Sequence, residues 1–326
     1  MRVLAVVFCF FATFGHPLKA QGPDEVVLQL SQSPGGLVDN MLQVVARHLP
    51  DFLPGNPSVT VQRVPGAAGL NLLRRMEASD RVDGSVIGLA SISQIVSNRM
   101  DPETGIHSDF RIIGALSREP SICMVHKDRD VLSAEQLFTT PLKFGAMSPT
   151  SSNYIDTAVL RNSVDADIDI ITGFQGGAEA MMALRRGEID GACGMPLYSF
   201  LRSPFSAETR IIGYLGPSPS DTFLEASGES LIEYIPSDLD REAINFLTSG
   251  KSALFSFWLH PDTPDSIVNE YSAAIIAMTE NADFRDEISK VIPVLQPSTG
   301  ADVEALIQRI ADTPDEVVER ARELSQ

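Results

Sequence analysis

Beyond its first twenty residues the chain has no apolar run long enough to cross a bilayer, a task that takes roughly 20 apolar residues in a helix. The early run, Val3 to Phe14, is too short for a span but has the layout of a secretory signal. A short positive start, Met1-Arg2, precedes it, and Pro17-Leu18-Lys19-Ala20 offers a small residue before Gln21. Export with cleavage near Ala20 is therefore expected. Cys9 lies inside the run without small residues before it, so a lipid-anchored N-terminus is not expected. Basic residues are scarce, 25 against 43 acidic ones, and without Arg2 and Lys19 the balance is −20. Such a chain repels nucleic acid and anionic lipid surfaces, and neither is expected as a partner. Only Cys123 and Cys193 survive processing, both in apolar, strand-like runs. Two buried thiols are the leading expectation; a disulfide, which an oxidising compartment permits, is the alternative. The five histidines show no metal-ligand spacing, so no metal and no cofactor is expected. No G-x-S-x-G elbow, P-loop, G-x-G-x-x-G or H-E-x-x-H occurs, which argues against an enzyme.

What is present is alternation. Val26–Ser31, Val59–Val64, Val86–Ala90 and Phe110–Leu116 read as strands, separated by helical patterns such as Leu37–Leu49 and Leu70–Ala78. In the first of these helices apolar residues recur from Leu37 to Leu49 at helical spacing, while Asp39, Gln43 and Arg47 form a polar stripe. A second series follows, with strands at Ser121–His126, Leu142–Met147, Ile168–Phe174, Ile189–Cys193 and Arg210–Leu215 and helices at Asn153–Val164 and Ala178–Arg186. Ala253–Leu259 reads as a late strand, and the remainder is mostly helical. The pattern predicts an α/β fold of parallel βαβ units in two lobes. Residues 21–118 with 253–326 form the first lobe and 119–252 the second, the chain crosses a hinge twice, and a ligand cleft lies at the carboxyl ends of the strands.

Loops after strands carry the candidate residues. Ser33-Pro34-Gly35-Gly36 follows the first strand with Asp39 in the next helical turn, and Pro65-Gly66 opens the loop after the second. Phe174-Gln175-Gly176 follows a strand of the second series, and Ser148-Pro-Thr150-Ser151-Ser152 crowds hydroxyl groups at a helix start. Free N–H groups at a helix N-terminus carry partial positive charge, and glycine lets a ligand approach the backbone closely. Each loop alone could be a tight turn with an N-cap, and Asp39 alone could be a dipole-stabilised acid. Two such loops in each lobe point to a small anion. The chain's own charge does not forbid this, because it is screened beyond about 8–10 Å at physiological salt.

These stretches resemble the substrate-binding proteins of tripartite tricarboxylate transporters, the Bug-type periplasmic receptors. Pro34-Gly-Gly-Leu-Val-Asp39 is similar to the family's P-G-G-x-x-D, and Arg63-Val-Pro-Gly-Ala-Ala-Gly69 to its R-x-P-G-A-G-G. Val82-Asp-Gly84, Ser108-Asp-Phe110, Gly145 to Asn153, Phe174-Gln-Gly176, Arg186-Gly-Glu-Ile-Asp190 and His260-Pro-Asp-Thr-Pro264 match further family pieces in order. Departures occur: Ser148 and Thr150 replace family glycines, and Gln43 stands where the family has an arginine, removing the i,i+4 partner of Asp39.

The resemblance implies a type II-like, two-lobed periplasmic binding protein that closes on a small carboxylic acid and delivers it to the integral membrane subunits of such a transporter. It implies a monomer whose ligand contacts come from Pro34-Gly35-Gly36 and Ser91 in the first lobe, and from Ser151 and the loop around Phe174, Gln175 and Gly176 in the second. A ligand-sensing subunit for a membrane sensor kinase and a secreted serine hydrolase are the competing readings.

Overall fold

Strand β1 (Glu25–Leu30) buries Val26, Leu28 and Leu30 on one face, as the period-2 alternation of its sequence requires. That face is covered by α1 (Leu37–His48), whose Met41, Leu42, Val44 and Val45 form its apolar stripe. The computed structural model describes residues 22–326 other than 33, 105–108 and 293. The expected signal segment therefore lies outside the described residues, as do Ser33 and Ser108.

The chain continues through β2 (Ser58–Arg63), α2 (Leu70–Glu77), β3 (Val86–Ala90), α3 (Ser93–Met100) and β4 (Arg111–Ser117). A first crossover, residues 118–120, leads to β5 (Ser121–His126), α4 (Ala134–Thr139), β6 (Leu142–Gly145) and α5 (Ser152–Val164). Next come β7 (Ile168–Ile171), α6 (Gly177–Arg185), β8 (Gly191–Pro196), α7 (Leu197–Leu201), β9 (Thr209–Leu215), β10 (Glu229–Ser230) and α8 (Asp238–Thr248). After a second crossover the chain forms β11 (Leu254–Leu259), α9 (Asp265–Glu280), α10 (Ala282–Ile288), β12 (Ser298–Thr299), α11 (Gly300–Ala311) and α12 (Asp315–Leu324). The expected strands and long helices are present with boundaries shifted by a few residues. The short α3, α4 and α7 and the two-residue strands β10 and β12 have no clear periodic signal in the sequence.

Two six-stranded sheets result, ordered β12-β4-β11-β3-β1-β2 and β10-β9-β5-β8-β6-β7. This is the expected two-sheet α/β architecture, though the sheets are mixed. β1 pairs in parallel with β2 and β3, whereas β11 returns antiparallel between β3 and β4. In the second sheet β6 is parallel to β7 and β8, and β5 is antiparallel to β8 and β9.

The crossovers are tied to each other. The Glu119 N–H donates to the Lys251 carbonyl at 3.1 Å. Lys251 Nζ donates to Asp156 Oδ2 (2.6 Å) and Oδ1 (2.8 Å) on α5 and to Ser121 Oγ (2.6 Å) on β5. The Glu119 carboxylate accepts the N–H groups of Tyr198 (2.5 Å) and Ser199 (3.2 Å) at the start of α7. Burial pushes this carboxyl above its ordinary range, against the pull of those two amides. Helix α12 packs chiefly on α8 and also touches α5 and α3, burying its apolar stripe of Val317, Val318, Ala321 and Leu324. Arg320 pairs with Asp240 at 2.6 Å, and Arg322 Nε donates back to the Met100 carbonyl of α3 at 2.8 Å.

Cys123 and Cys193 are joined in a disulfide, which corrects the expectation of two free thiols. They lie 70 residues apart in sequence, yet β5 and β8 are adjacent antiparallel strands, and the Cα atoms are 4.0 Å apart. Neither residue is more than 1% exposed. A cross-link closing so long a loop restricts the unfolded chain, and replacing both cysteines by alanine is expected to lower unfolding stability by about 2–4 kcal/mol. Urea denaturation of the double variant beside the oxidised wild type measures this; equal stability would show that the bridge contributes nothing.

Candidate functional site

The loop after β1 turns at Gly35, whose φ of +78° is a left-handed conformation that favours glycine. Its N–H donates to Asp39 Oδ2 at 2.9 Å, and Asp39 Oδ1 accepts from Arg63 Nη2 at 2.5 Å. Asp39 is 4% exposed. The Gly35 amide, opposed by burial and reinforced by the Arg63 guanidinium, holds its carboxyl below the usual carboxylate range. Gln43 gives Asp39 no i,i+4 partner, and parallel pairing of Leu30 with Arg63 supplies one from the next strand instead. One expectation changes: the Gly35 amide is not free for a ligand, since the protein's own carboxylate takes it. Asp39 shapes the loop. The amides that follow belong to α1, whose N-cap, Gly36, supplies no side-chain cap.

In the loop after β2, Gly66 (φ +118°) leaves room for the Asn71 side chain, which donates to the Pro65 carbonyl at 3.2 Å. Pro65 and Gly66 are thus held by a local bond. Where the loops after β1, β2 and β3 converge, a cavity of about 130 Å³ is lined by Ser31, Gln32, Val38, Gly69, Leu89, Ala90, Ser91, Gln94, Leu254 and Phe255. Its lining carries hydroxyl and amide groups and no charged side chain. Ser91 was expected there. Ser31 and Gln32 border the Pro34-Gly35-Gly36 loop and could have been read from it; Gln94 and Phe255 had no signal in the sequence.

The second sheet repeats the first loop's device. Gly176 is the N-cap of α6, again without a side-chain cap, and the Gln175 N–H donates to Glu179 Oε2 at 2.5 Å. In both loops the carboxylate of the third helical residue accepts from the amide one position before the N-cap. The ring of Phe174 lies over Gly145 at the end of β6, and the Gly173 N–H donates to the Met147 carbonyl at 3.1 Å, coupling the two loops. Ser151, the N-cap of α5, makes no cap bond. Its Oγ donates to the Ser148 carbonyl (2.5 Å) and accepts from the Ser148 N–H (3.2 Å), so its proton is committed to the turn. Ser148 Oγ lies 3.3 Å from Thr150 Oγ1.

Thr150 and Ser152 line a separate cavity of about 430 Å³ with Ser93, Val96, Ser97 and Met100 of α3, Asp156 and Lys251. The structure therefore gathers Ser91 with the first-sheet loops, and Thr150 and Ser152 with α3 and the crossover. Phe174, Gln175 and Gly176 line neither cavity.

No protein-family model matches the chain, and no curated protein matches it in sequence. Solved structures do resemble it. A TctC solute-binding protein from Polaromonas superposes with a TM-score of 0.71 at 16% identity, covering 92% of this chain and 98% of that one. The periplasmic binding protein BugD gives 0.64 at 14% identity, with 92% and 97% covered. MatC from Rhodopseudomonas palustris with bound malate gives 0.59 at 13% identity, with 93% and 99% covered.

Asp39 supplies a check on the loop. Its depressed pKa means its stabilising contribution is present above the unfolded-state value of about 3.9 and is lost as pH falls through the folded value. Asp39→Asn is expected to lower stability at pH 7 by about 1–2 kcal/mol, through loss of two charge-assisted bonds. The deficit should shrink as pH falls below about 4. Thermal unfolding of both proteins from pH 7 to pH 3 tests this; a pH-independent deficit would place the effect elsewhere. On these comparisons the chain has the fold of the periplasmic solute-binding proteins of tripartite tricarboxylate transporters.

Proposed function

We propose that the chain is a periplasmic receptor that captures a small carboxylic acid and delivers it to the integral membrane subunits of a tripartite tricarboxylate-type transporter. It acts as a monomer, exported with its signal segment removed near Ala20, and it binds without transforming its ligand. The observation that carries this reading is the shared form of three helix starts. α1, α5 and α6 each begin just beyond the carboxyl end of a parallel strand, and each has an N-cap that makes no side-chain bond to the helix amides. Such N–H groups satisfy an anion without a positive side chain, which suits the uncharged lining beside α1. That one neighbour of the same fold carries malate supports the ligand class.

The two lobes are residues 21–118 with 253–326, and residues 119–252. Ligand contact with both favours the closed form, as a transporter that distinguishes loaded from empty receptor requires. The Ser151 hydroxyl, committed within its own turn, positions the α5 amides for the ligand.

A thermal-shift screen against mono-, di-, tri- and aromatic carboxylates, with sugars and amino acids as controls, tests the ligand class. A true ligand at hundredfold excess over its Kd stabilises by about 2.7 kcal/mol, a rise of a few degrees. No shift with any acid, in protein that native mass spectrometry finds empty, would sink the reading. Gly36→Asp keeps the fold, because Gly36 has an ordinary φ of −77° and aspartate is a favoured N-cap. It sets a like charge beside the bound acid, and affinity is expected to fall at least about a hundredfold, or roughly 2.7 kcal/mol.

A further inference from the structure

Successive side chains of a strand point to opposite faces of its sheet. β11 departs from this at its first two residues, because Leu254 and Phe255 both line the cavity at the ends of β1 and β3. The cause lies in the backbone. Phe255 has φ +58°, in the left-handed region where a bulky residue is an outlier. Its neighbours hold it there: Leu254 pairs with Ser117 of β4, and Ser256 pairs with Ala90 of β3 and Ala115 of β4. The fully buried Ser256 Oγ also donates to the Ala253 carbonyl at 2.8 Å, closing the turn from the other side. Strain of this kind persists where the surroundings over-determine it, and it is concentrated at ligand sites. Here its geometric effect is to place an aromatic wall in a cavity that otherwise offers hydroxyl and amide groups and the aliphatic side chains of Val38, Leu89 and Leu254.

We infer that Phe255 is a specificity-determining residue, its ring held in the cavity by the left-handed turn so as to limit the length of acid that fits. This rests on the carboxylate-receptor reading. The ring is a hydrocarbon and supplies no hydrogen bond to the acid. It acts by occupying volume, so its removal alters selectivity among acids more than the recognition of their carboxylates.

The experiment uses the protein purified from the full-length chain and titrates it calorimetrically with the straight-chain dicarboxylates from oxalate to adipate, for wild type, Phe255→Gly and Phe255→Leu. Glycine accepts the left-handed φ without strain, so Phe255→Gly should remain folded while opening the cavity. Phe255→Leu keeps a side chain in place and controls for a folding defect. In Phe255→Gly the ratio of affinities is expected to move at least about tenfold toward longer acids, the range that one or two methylenes command in a pocket. Phe255→Leu should fall between glycine and wild type. If wild type binds acids and both variants keep its length profile, the wall is refuted and the receptor reading stands. If wild type binds none of these acids nor any other carboxylate, the receptor reading fails and this inference with it.

Discussion

A helix begins with N–H groups that its own carbonyls cannot satisfy, and this chain meets that constraint in a way that fixes the loops before its helices. At α1 and α6 the carboxylate at the third helical position reaches back past the N-cap to the amide before it. The loop is fixed by its own acid, while the N-cap glycines, Gly36 and Gly176, offer the first-turn amides no side-chain cap. α11 shows the ordinary alternative. There Thr299 and Asp302 form a reciprocal capping box, and the N-cap side chain bonds the Asp302 amide.

The first loop needs a second strand to hold it. Asp39 is buried and would be costly as an isolated charge; Arg63 makes it tolerable, and Arg63 is in place only because β1 and β2 pair in parallel with Leu30 opposite it. Loop, helix start and edge strand therefore form one electrostatic unit. The crossover region is built on the same logic. Asp156, 4% exposed at its side chain, is paired with Lys251, so the segment that re-enters the first sheet is bound to the helix that carries Ser152. A few residues later the chain makes the left-handed turn at Phe255. The disulfide between β5 and β8 stiffens the second sheet next to this anchor.

Much of the fold was legible in the sequence, and for a physical reason. Burial periodicity is a local property, so β1 and α1 announce themselves through Val26, Leu28 and Leu30 and through Met41, Leu42, Val44 and Val45. The turn at Gly35-Gly36 was legible because paired glycines punctuate the end of a strand, whereas the left-handed φ of Gly35 is seen only in the structure. Short elements such as α7, with five residues, were not, since less than two turns carry no readable period. Of the candidate site, Ser91 and the helix starts after Gly36, Ser151 and Gly176 stood out. Gln94 and Phe255 did not, because neither sits in a motif.

The sequence by itself determined the alternation of strands and helices, the glycine turns, the acidic balance and the position of Asp39 in a first helical turn. Only the tertiary structure decided that Asp39 is held by Arg63, that Cys123 meets Cys193, that α12 packs on α8, and that Leu254 and Phe255 share one cavity. Each depends on which strand lies beside which and in what register. Those relations arise between residues far apart in the chain, and no local pattern encodes them.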